Sequence, residues 1–398
     1  MRIYPRDAEE ALHARKLIAD WKGEKLLTPE QHARLDKETV SGLRTTNLVL
    51  RAVLFLFTII VVIAAVALFF SIFLKSVSEQ TTGIVCLIFA PACYFLGEYA
   101  ASQKNFYRHG IEEALAACSV GLLCFGLAAA FFSHRFGWLP EQSFVLATGA
   151  ALSLWIWRRF GLWYFFLAAA VFVAFMPACW TTSPAREHAT VALLYAAGIV
   201  CLNALRPRDR FDLMEPEYSL AEAMLWLGIY LAMNLKLSGL DPRTELWGDG
   251  NLTLQYSKPF YRTTWVLIWA LPAAMLVRGI RRKDRSVLAV GLLTAVLTLI
   301  TNKPYLGWPR HTWDPMLLGL LLAAVSLSVR RWLAHSPNGI RQGFTAARLS
   351  GKDKQWLTVA SPALSLLTPQ DITPAAQSVP TSPFGGGASG GGGASGNF

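Results

Sequence analysis

The chain has 398 residues, of which 54% are hydrophobic and only 16% are charged, a balance that excludes an ordinary soluble globular protein of this length. Its formal net charge of +11 comes from Lys and Arg in short clusters between apolar runs. Membrane insertion places basic residues in this way, so we expect the lipid bilayer and not a nucleic acid as the main partner.

The first fifty residues are polar and charge-rich, unlike a removable signal peptide, and predict a retained cytoplasmic segment, residues 1–51. Within it we expect a hairpin of two short amphipathic helices. Thr28 caps the second helix, Pro29 takes its first position and Gln31 completes a capping box. In the first helix, apolar residues recur at near-helical spacing: Leu12, Leu17, Ile18 and Trp21. The hairpin either packs on its own bundle or receives a protein partner.

Ten apolar runs separated by charged breaks follow, and they predict an all-α, polytopic transmembrane bundle of about ten spans over residues 52–334. The runs are 52–74, 82–96, 111–132, 142–157, 162–180, 188–205, 220–237, 261–277, 286–301 and 315–332. With the N-terminus inside, alternation places most of the 37 Lys and Arg residues in cytoplasmic segments. Removing a middle span would put the basic run 278–285 outside, so we expect both termini in the cytoplasm.

Two adjacent carboxylates, Glu112 and Glu113, open the third run and are the leading intramembrane polar candidates. Adjacent helical residues point about 100° apart, so we expect at most one to face the bundle interior. The alternative is that the helix dipole favours both at a cytoplasm-facing N-terminus. Four other ionisable residues near helix ends are explained by placement at the interface: Glu98, His188, Glu222 and Lys236.

The outer loops 239–260 and 302–314 carry a second candidate site, a polar pocket with aromatic walls. Its predicted residues are Asp241, Asp249, Trp308, Arg310, His311, Trp313 and Asp314. Arg310 would bind an anion, and His311 with Asp314 or Asp249 would act as a general base or a ligand pair. The alternative is an aromatic belt at the membrane surface with charged loop tips.

Catalytic motifs give little support for an enzyme: the sequence contains no HExxH or Walker pattern, its GxSxG match at 387–391 lies within the low-complexity glycine repeats, and its six cysteines form no CxxC pair. We therefore predict no catalytic residue, no metal and no cofactor. The first outer loop has only Glu79 as an acid, which argues against a lipid-linked glycosyltransferase. Pro91 and Pro272 do not fall at corresponding positions of two five-helix halves, so inverted transporter repeats gain no support.

Residues 335–398 lack periodicity and are punctuated by Pro and Gly, which predicts a disordered cytoplasmic tail. The tail ends in two GGGAS repeats at 385–389 and 391–395. Nothing that a cloning linker would join follows them. Glycine offers no side chain to bind, so a recognition tail would depend on Asn397, Phe398 and the backbone.

Two segments resemble known families. The LLTPEQ start of the second helix, with a span cluster after it, resembles a group of bacterial multi-span membrane proteins classified only as domains of unknown function. This resemblance implies a bacterial inner (cytoplasmic) membrane and no activity. The ending GGGASGGGGASGNF resembles the Gly-rich termini of bacterial membrane proteins with a TPM domain and of proteins encoded with the LemA family. It implies a shared recognition element anchored by Phe398; no TPM domain is recognisable, so that domain's roles do not carry over.

These observations favour a non-enzymatic scaffold or a subunit of a membrane-associated complex, with the hairpin and the tail as partner-recognition segments. The alternative is a transporter, or an enzyme at the extracytoplasmic face, that acts on a lipid or anionic substrate through loops 239–260 and 302–314.

Overall fold

The computed structural model describes residues 2–23, 26–73, 78–131, 140–206, 215–237, 256–305, 313–335, 340–341 and 344–345. All of them belong to the first of two compact units, Met1–Ala346. The described residues form twelve α-helices and one pair of two-residue strands. The all-α fold is therefore confirmed. The predicted tail beyond residue 345, including Asn397 and Phe398, lies outside the described residues.

Two helices precede the ten that match the apolar runs. In chain order the helices are α1 (Arg6–Gly23), α2 (Pro29–Glu38), α3 (Leu48–Phe73), α4 (Glu79–Gln103), α5 (Ile111–Phe131), α6 (Pro140–Phe160), α7 (Trp163–Phe175), α8 (Pro184–Leu205), α9 (Glu215–Met233), α10 (Lys258–Arg282), α11 (Arg285–Tyr305) and α12 (Asp314–Ala334). A 3₁₀ turn, Met176–Cys179, continues α7. Strand β1 (Ile340–Arg341) pairs antiparallel with β2 (Phe344–Thr345).

Each predicted apolar run overlaps one of the helices α3 to α12, and several helices extend beyond the predicted ends. Seven of these helices, α3, α4, α5, α8, α10, α11 and α12, are long and apolar enough to cross a membrane by length and composition. A multi-pass membrane protein is therefore the class that the described helices support. The count of ten spans and the side of each terminus stay predictions.

The remaining three helices, α6, α7 and α9, lie at the centre of the fold. Together with α8 they supply most of the largest cluster of buried apolar side chains, which includes Ile156, Trp157, Phe160, Phe166, Tyr195, Leu202, Tyr218 and Leu225. By contrast, α3 buries only Val62, and none of the described side chains of α12 is buried. Helices with exposed apolar surface on all sides are suited to contact with lipid.

Helices α4 and α5 approach each other closely because small residues lie at their contact. A Cβ atom on Gly83 would stand 2.3 Å from the backbone N of Ala130, and one on Gly126 would stand 2.9 Å from Cγ of Leu87. Small residues at helix contacts allow backbones within a membrane to pack by dispersion forces. The α4–α5 pair is thus closely packed beside the site described below.

The predicted hairpin is present as α1 and α2, and its capping box is confirmed. Thr28 Oγ1 accepts a hydrogen bond from the backbone N of Gln31 (3.2 Å), and Gln31 Oε1 accepts one from the backbone N of Thr28 (3.0 Å). Only half of the predicted apolar stripe of α1 is buried. In α2 no residue is buried. Leu12 and Ile18 are buried, whereas Leu17 and Trp21 are 46% and 43% exposed.

Candidate functional site: ion pairs at one end of the bundle

Charged residues at the ends of several helices lie close together at one end of the helix bundle. We call this set of paired side chains the ion-pair belt. The N-terminal ends of α3, α5, α9 and α11 meet the C-terminal ends of α4, α6, α8 and α10 there. The members are Arg2, Glu9, Arg51, Glu98, Arg108, Glu113, Arg159, Arg206, Glu217, Glu222, Arg278, Arg282 and Asp284. Their contacts join helices that are distant in the sequence.

Arg2 fixes the start of the chain to the bundle. Its Nη1 donates to Glu9 Oε2 at 2.7 Å and its Nη2 to Glu217 Oε2 at 2.6 Å. The fork geometry of a guanidinium allows it to bridge two carboxylates in this way. Gly161 makes room for it: this residue has φ +69°, and a Cβ there would lie 2.6 Å from Arg2 Nη2. The backbone N of Ile3 adds a hydrogen bond to the carbonyl of Arg159 at 3.0 Å.

Tyr4 follows Arg2 into the bundle and is 4% exposed. Its ring meets that of Tyr107 edge to face, with centroids 4.9 Å apart. Burial raises the pKa of Tyr4 well above its ordinary value, and the charge of Glu112 is the next largest cause. The Tyr4 phenol is therefore favoured in its neutral form.

The loop between α4 and α5 is held in a strained but well-supported conformation. Asn105 and Arg108 adopt left-handed φ angles of 56° and 51°, and Gly110 has φ 102°. A Cβ on Gly110 would lie 2.3 Å from the carbonyl O of Arg51, so only glycine fits there. The linker after α2 braces this loop, because the backbone N of Arg44 donates to the carbonyl of Asn105 at 2.8 Å.

Glu112 and Glu113 leave this loop at the start of α5, and both side chains are buried. The expectation that at most one faces the interior is wrong, because protein surrounds this helix end on more than one side. Glu113 accepts from Arg51 of α3, with Nε to Oε2 at 2.8 Å. Glu112 turns back onto the loop, and its Oε1 accepts from the backbone N of His109 at 2.7 Å.

The two carboxylates differ in how their charge is compensated. Arg51 directs both Nε and Nη2 at Glu113, whereas Glu112 Oε2 is buried and accepts no hydrogen bond from any residue that the structure describes. A helix N-terminus favours an anion by only about 0.3–1 kcal/mol, up to about 2 kcal/mol in buried geometries. Burying a carboxylate that lacks a charged partner costs several kcal/mol, so burial outweighs the dipole at Glu112.

His109 lies beside these carboxylates with its ring stacked on Phe106, the centroids 4.3 Å apart. Its Nδ1 is buried and has no hydrogen-bond partner among the described residues. Burial, and then the charge of Arg44, lower the pKa of His109 from its ordinary value. The imidazole is thus favoured in its neutral form.

Glu222 is the centre of the other half of the belt and is 2% exposed. Arg278 donates its Nε to Glu222 Oε1, and Arg206 Nη1 reaches Oε2 at 3.1 Å. Arg282 stands 3.8 Å away, and Asn203 Oδ1 accepts from Arg278 at 2.9 Å and Arg282 at 2.8 Å. The placement of Glu222 at the membrane interface stays a prediction; the structure shows that guanidinium groups at the ends of α8 and α10 surround this carboxylate.

Asp284 links this cluster to the start of α11. Its Oδ1 accepts from the backbone N of Ser286 (3.1 Å) and of Val287 (3.3 Å), which is N-terminal capping of the helix. Ser219 of α9 donates its hydroxyl to the same oxygen, and Arg206 lies 3.6 Å from Oδ2. The belt therefore includes a helix cap as well as ion pairs.

A second polar group is buried toward the other end of α9. Tyr230 and Thr298 share a hydroxyl hydrogen bond of 2.9 Å, and Asn234 Nδ2 donates to Tyr230 Oη and to Thr301 Oγ1, both at 3.0 Å. Thr298 also donates to the carbonyl of Ile268 at 2.7 Å. These bonds join α9, α10 and α11, and we call these residues the polar ladder.

Most of the predicted outer pocket lies outside the described residues, namely Asp241, Asp249, Trp308, Arg310 and His311. Trp313 and Asp314 are described: Trp313 is half-exposed, and Asp314 lies in the first turn of α12. The pocket therefore stays a prediction.

The sequence interpretation missed Arg2, Arg206, Glu217, Arg278 and Asp284 as members of one cluster. The predicted topology contains a signal for this cluster, because it places the acidic residues at the starts of several apolar runs on the same side of the membrane as the Arg-rich segments between the runs.

Among the described residues, no three His, Cys, Asp or Glu side chains are arranged to hold a metal ion. Comparison of the chain with protein-family models, with curated proteins and with solved structures gives no match. The proposals below therefore depend on the geometry of the chain itself.

Proposed function

We propose that this protein is a non-enzymatic scaffold or subunit of a membrane-associated complex, and that it presents its N-terminal hairpin to a partner protein. The observation that carries the proposal is the bridge from Arg2 to Glu9 and Glu217. It fixes the first residues of the chain to α9 inside the bundle. A hairpin held in this way keeps a defined position relative to the membrane-spanning helices.

The outer face of the hairpin supports a recognition role. Leu17 and Trp21 remain exposed beside the buried Leu12 and Ile18, and α2 buries no residue. Arg15 and Asp36 connect the two helices through an ion pair of 3.0 Å. Exposed aromatic and aliphatic residues on a rigid support are typical anchors of protein interfaces. We include the tail 385–398, with Asn397 and Phe398, as a second recognition segment on the strength of its sequence.

The proposed location is the bacterial inner membrane, with both termini in the cytoplasm. The support is that the Arg-rich helix ends meet at one end of the bundle, as they would if that end faced the cytoplasm. The resemblance of the hairpin and the tail to bacterial membrane proteins agrees with this location.

The proposal is tested by quantitative cross-linking in intact membranes followed by identification of the linked proteins. We expect the double variant Leu17→Ser, Trp21→Ser to lose specific partners that wild type retains. The matched control is Glu10→Gln, an exposed residue elsewhere on α1. A parallel variant that lacks 385–398 tests the tail. Identical partner lists for wild type and both variants would refute the scaffold proposal.

A second candidate is a transporter or an extracytoplasmic-face enzyme that acts on a lipid or anionic substrate through loops 239–260 and 302–314. The polar ladder favours it, because buried hydroxyl and amide groups within spanning helices often mark a substrate path. The test is a thermal-shift screen of anionic compounds and lipids with wild type and with Arg310→Ala, His311→Ala, Asp314→Ala. This candidate requires a stabilising compound whose effect the triple variant loses.

A further inference from the structure

Three buried polar atoms without hydrogen-bond partners in the described ranges surround the start of α5. They are Glu112 Oε2, Tyr4 Oη and His109 Nδ1. Glu112 is 0% exposed, and Tyr4 belongs to the N-terminal segment that Arg2 fixes to the bundle. Buried polar groups normally find a partner, so the buried carboxyl oxygen of Glu112 requires an explanation.

The arginine side chains near Glu112 form ion pairs with other carboxylates. Arg51 pairs with Glu113, and Arg2 bridges Glu9 and Glu217. The one described hydrogen bond to the Glu112 carboxyl from another residue is the backbone N–H of His109. Glu112 therefore lacks a cation of its own while a second carboxylate lies next to it in the chain, an arrangement in which a proton is the smallest ligand that removes the charge.

We propose that Glu112 is a proton-binding site of this membrane protein, with the proton on Oε2, the buried carboxyl oxygen that accepts no described hydrogen bond. Oε1 keeps its hydrogen bond from His109, so one carboxyl oxygen positions the group and the other binds the ligand. Proton binding leaves no unpaired charge beside Glu113. Proton release leaves a buried anion without a cation of its own at the start of α5.

The titratable and charged groups that act on Glu112 come from several elements. They are Tyr4 of the N-terminal segment, Arg51 of α3, Glu113 of α5, His109 of the loop and Tyr164 of α7. The cation among them, Arg51, is paired with Glu113. On α4, Gly97 faces the backbone carbonyl of Glu112, where a Cβ would stand 3.5 Å from the oxygen.

The proposal is tested by infrared spectroscopy of the purified full chain in lipid nanodiscs at neutral pH. Wild type should show the C=O stretching band of a protonated carboxylic acid, and Glu112→Gln should lose it. Glu30→Gln, which removes an exposed carboxyl on α2, should retain the band unchanged. Glu112→Asp should keep a protonated-acid band and shift its frequency, because the shorter side chain moves the carboxyl away from the His109 N–H.

Three results would overturn the proposal. Folded wild type without a protonated carboxyl band at neutral pH is the first, and a band that persists in Glu112→Gln is the second. The third is a band that appears only when sodium and potassium are removed, since a monovalent cation would then be the resident ligand. If Glu112→Gln does not fold, the Glu112→Asp spectrum decides, because a band of unchanged frequency belongs to another acid.

Discussion

Glu222 shows how a single carboxylate can stabilise several helices. It is nearly fully buried and accepts from Arg206 of α8 and Arg278 of α10. We predict that Glu222→Gln lowers the free energy of unfolding by up to about 3–5 kcal/mol, because Arg278 loses the carboxylate that it contacts and the described carboxylate that Arg206 keeps is Asp284, 3.6 Å away. Unfolding of the purified protein in a denaturing detergent, followed by Trp fluorescence, measures this loss.

The control for this prediction is Glu10→Gln, which removes an equally charged residue from an exposed ion pair with Arg6. Exposed pairs within one helix contribute about 0.3–0.5 kcal/mol, so this change should be small. Equal effects of the two substitutions would show that burial of Glu222 does not determine its contribution.

His109 gives a prediction about pH. Burial and the charge of Arg44 lower the pKa of His109 below its ordinary 6.5, so the unfolded chain binds the proton more readily than the folded chain does. This contribution to stability is complete above pH 6.5 and is lost as the pH falls toward the lowered pKa. We predict that His109→Gln loses less stability than wild type on acidification. Melting temperatures over a pH series measure the difference, and parallel curves would contradict it.

Residue-level features differ in how well the sequence predicts them. The capping box of Thr28 and Gln31 was predictable, because both partners lie within one helical turn. The burial of Glu222 was not, because its partners Arg206 and Arg278 belong to other helices, and helix neighbours cannot be read from one sequence. The outcome for Glu112 and Glu113 has the same cause, since contacts with α3 and the loop decide where each side chain lies.

At the scale of helices, the contact of α4 with α5 depends on glycine. We predict that Gly83→Ala destabilises the protein by about 1–3 kcal/mol, because the added Cβ would stand 2.3 Å from backbone of Ala130 and the helices must separate. Gly121→Ala is the matched control, since a Cβ there meets nothing within 4 Å. Detergent unfolding of both variants is the measurement; a loss at Gly121 as large as that at Gly83 would contradict the prediction.

The three central helices differ from the seven candidate spans for different reasons. Helix α7 is strongly apolar but has only 13 residues, whereas α6 and α9 are long enough and are less apolar than a typical span. Helix α9 includes Glu217 and Glu222, which are paired with Arg residues inside the fold. A helix surrounded by protein can hold paired charges that lipid would not tolerate. Paired charges in α9 and the short length of α7 therefore explain why ten apolar runs correspond to helices while seven of those helices are both long and apolar enough to span a membrane.

At the scale of the whole molecule, the ion-pair belt forms only if successive helices run in alternate directions through the bundle. Its members come from the N-terminal ends of α3, α5, α9 and α11 and the C-terminal ends of α4, α6, α8 and α10. The helices in this set therefore present alternate ends to the belt. If α3 to α12 all cross the bilayer, the crossings number ten and the flanking segments lie on one side. If only the seven helices that are both long and apolar enough cross, the number is odd and those segments lie on opposite sides.

This difference in parity gives a decisive topology experiment. The six native cysteines are free and would be replaced, and single cysteines would be introduced at Glu30 in α2 and at His335 after α12, both exposed. We predict that a membrane-impermeant thiol reagent labels neither position in intact cells and both after permeabilisation, as ten spans with cytoplasmic ends require. Permeabilised cells control for reactivity, because each cysteine must react there. Labelling of only one position in intact cells would show that the two ends lie on opposite sides of the membrane, which excludes ten crossings.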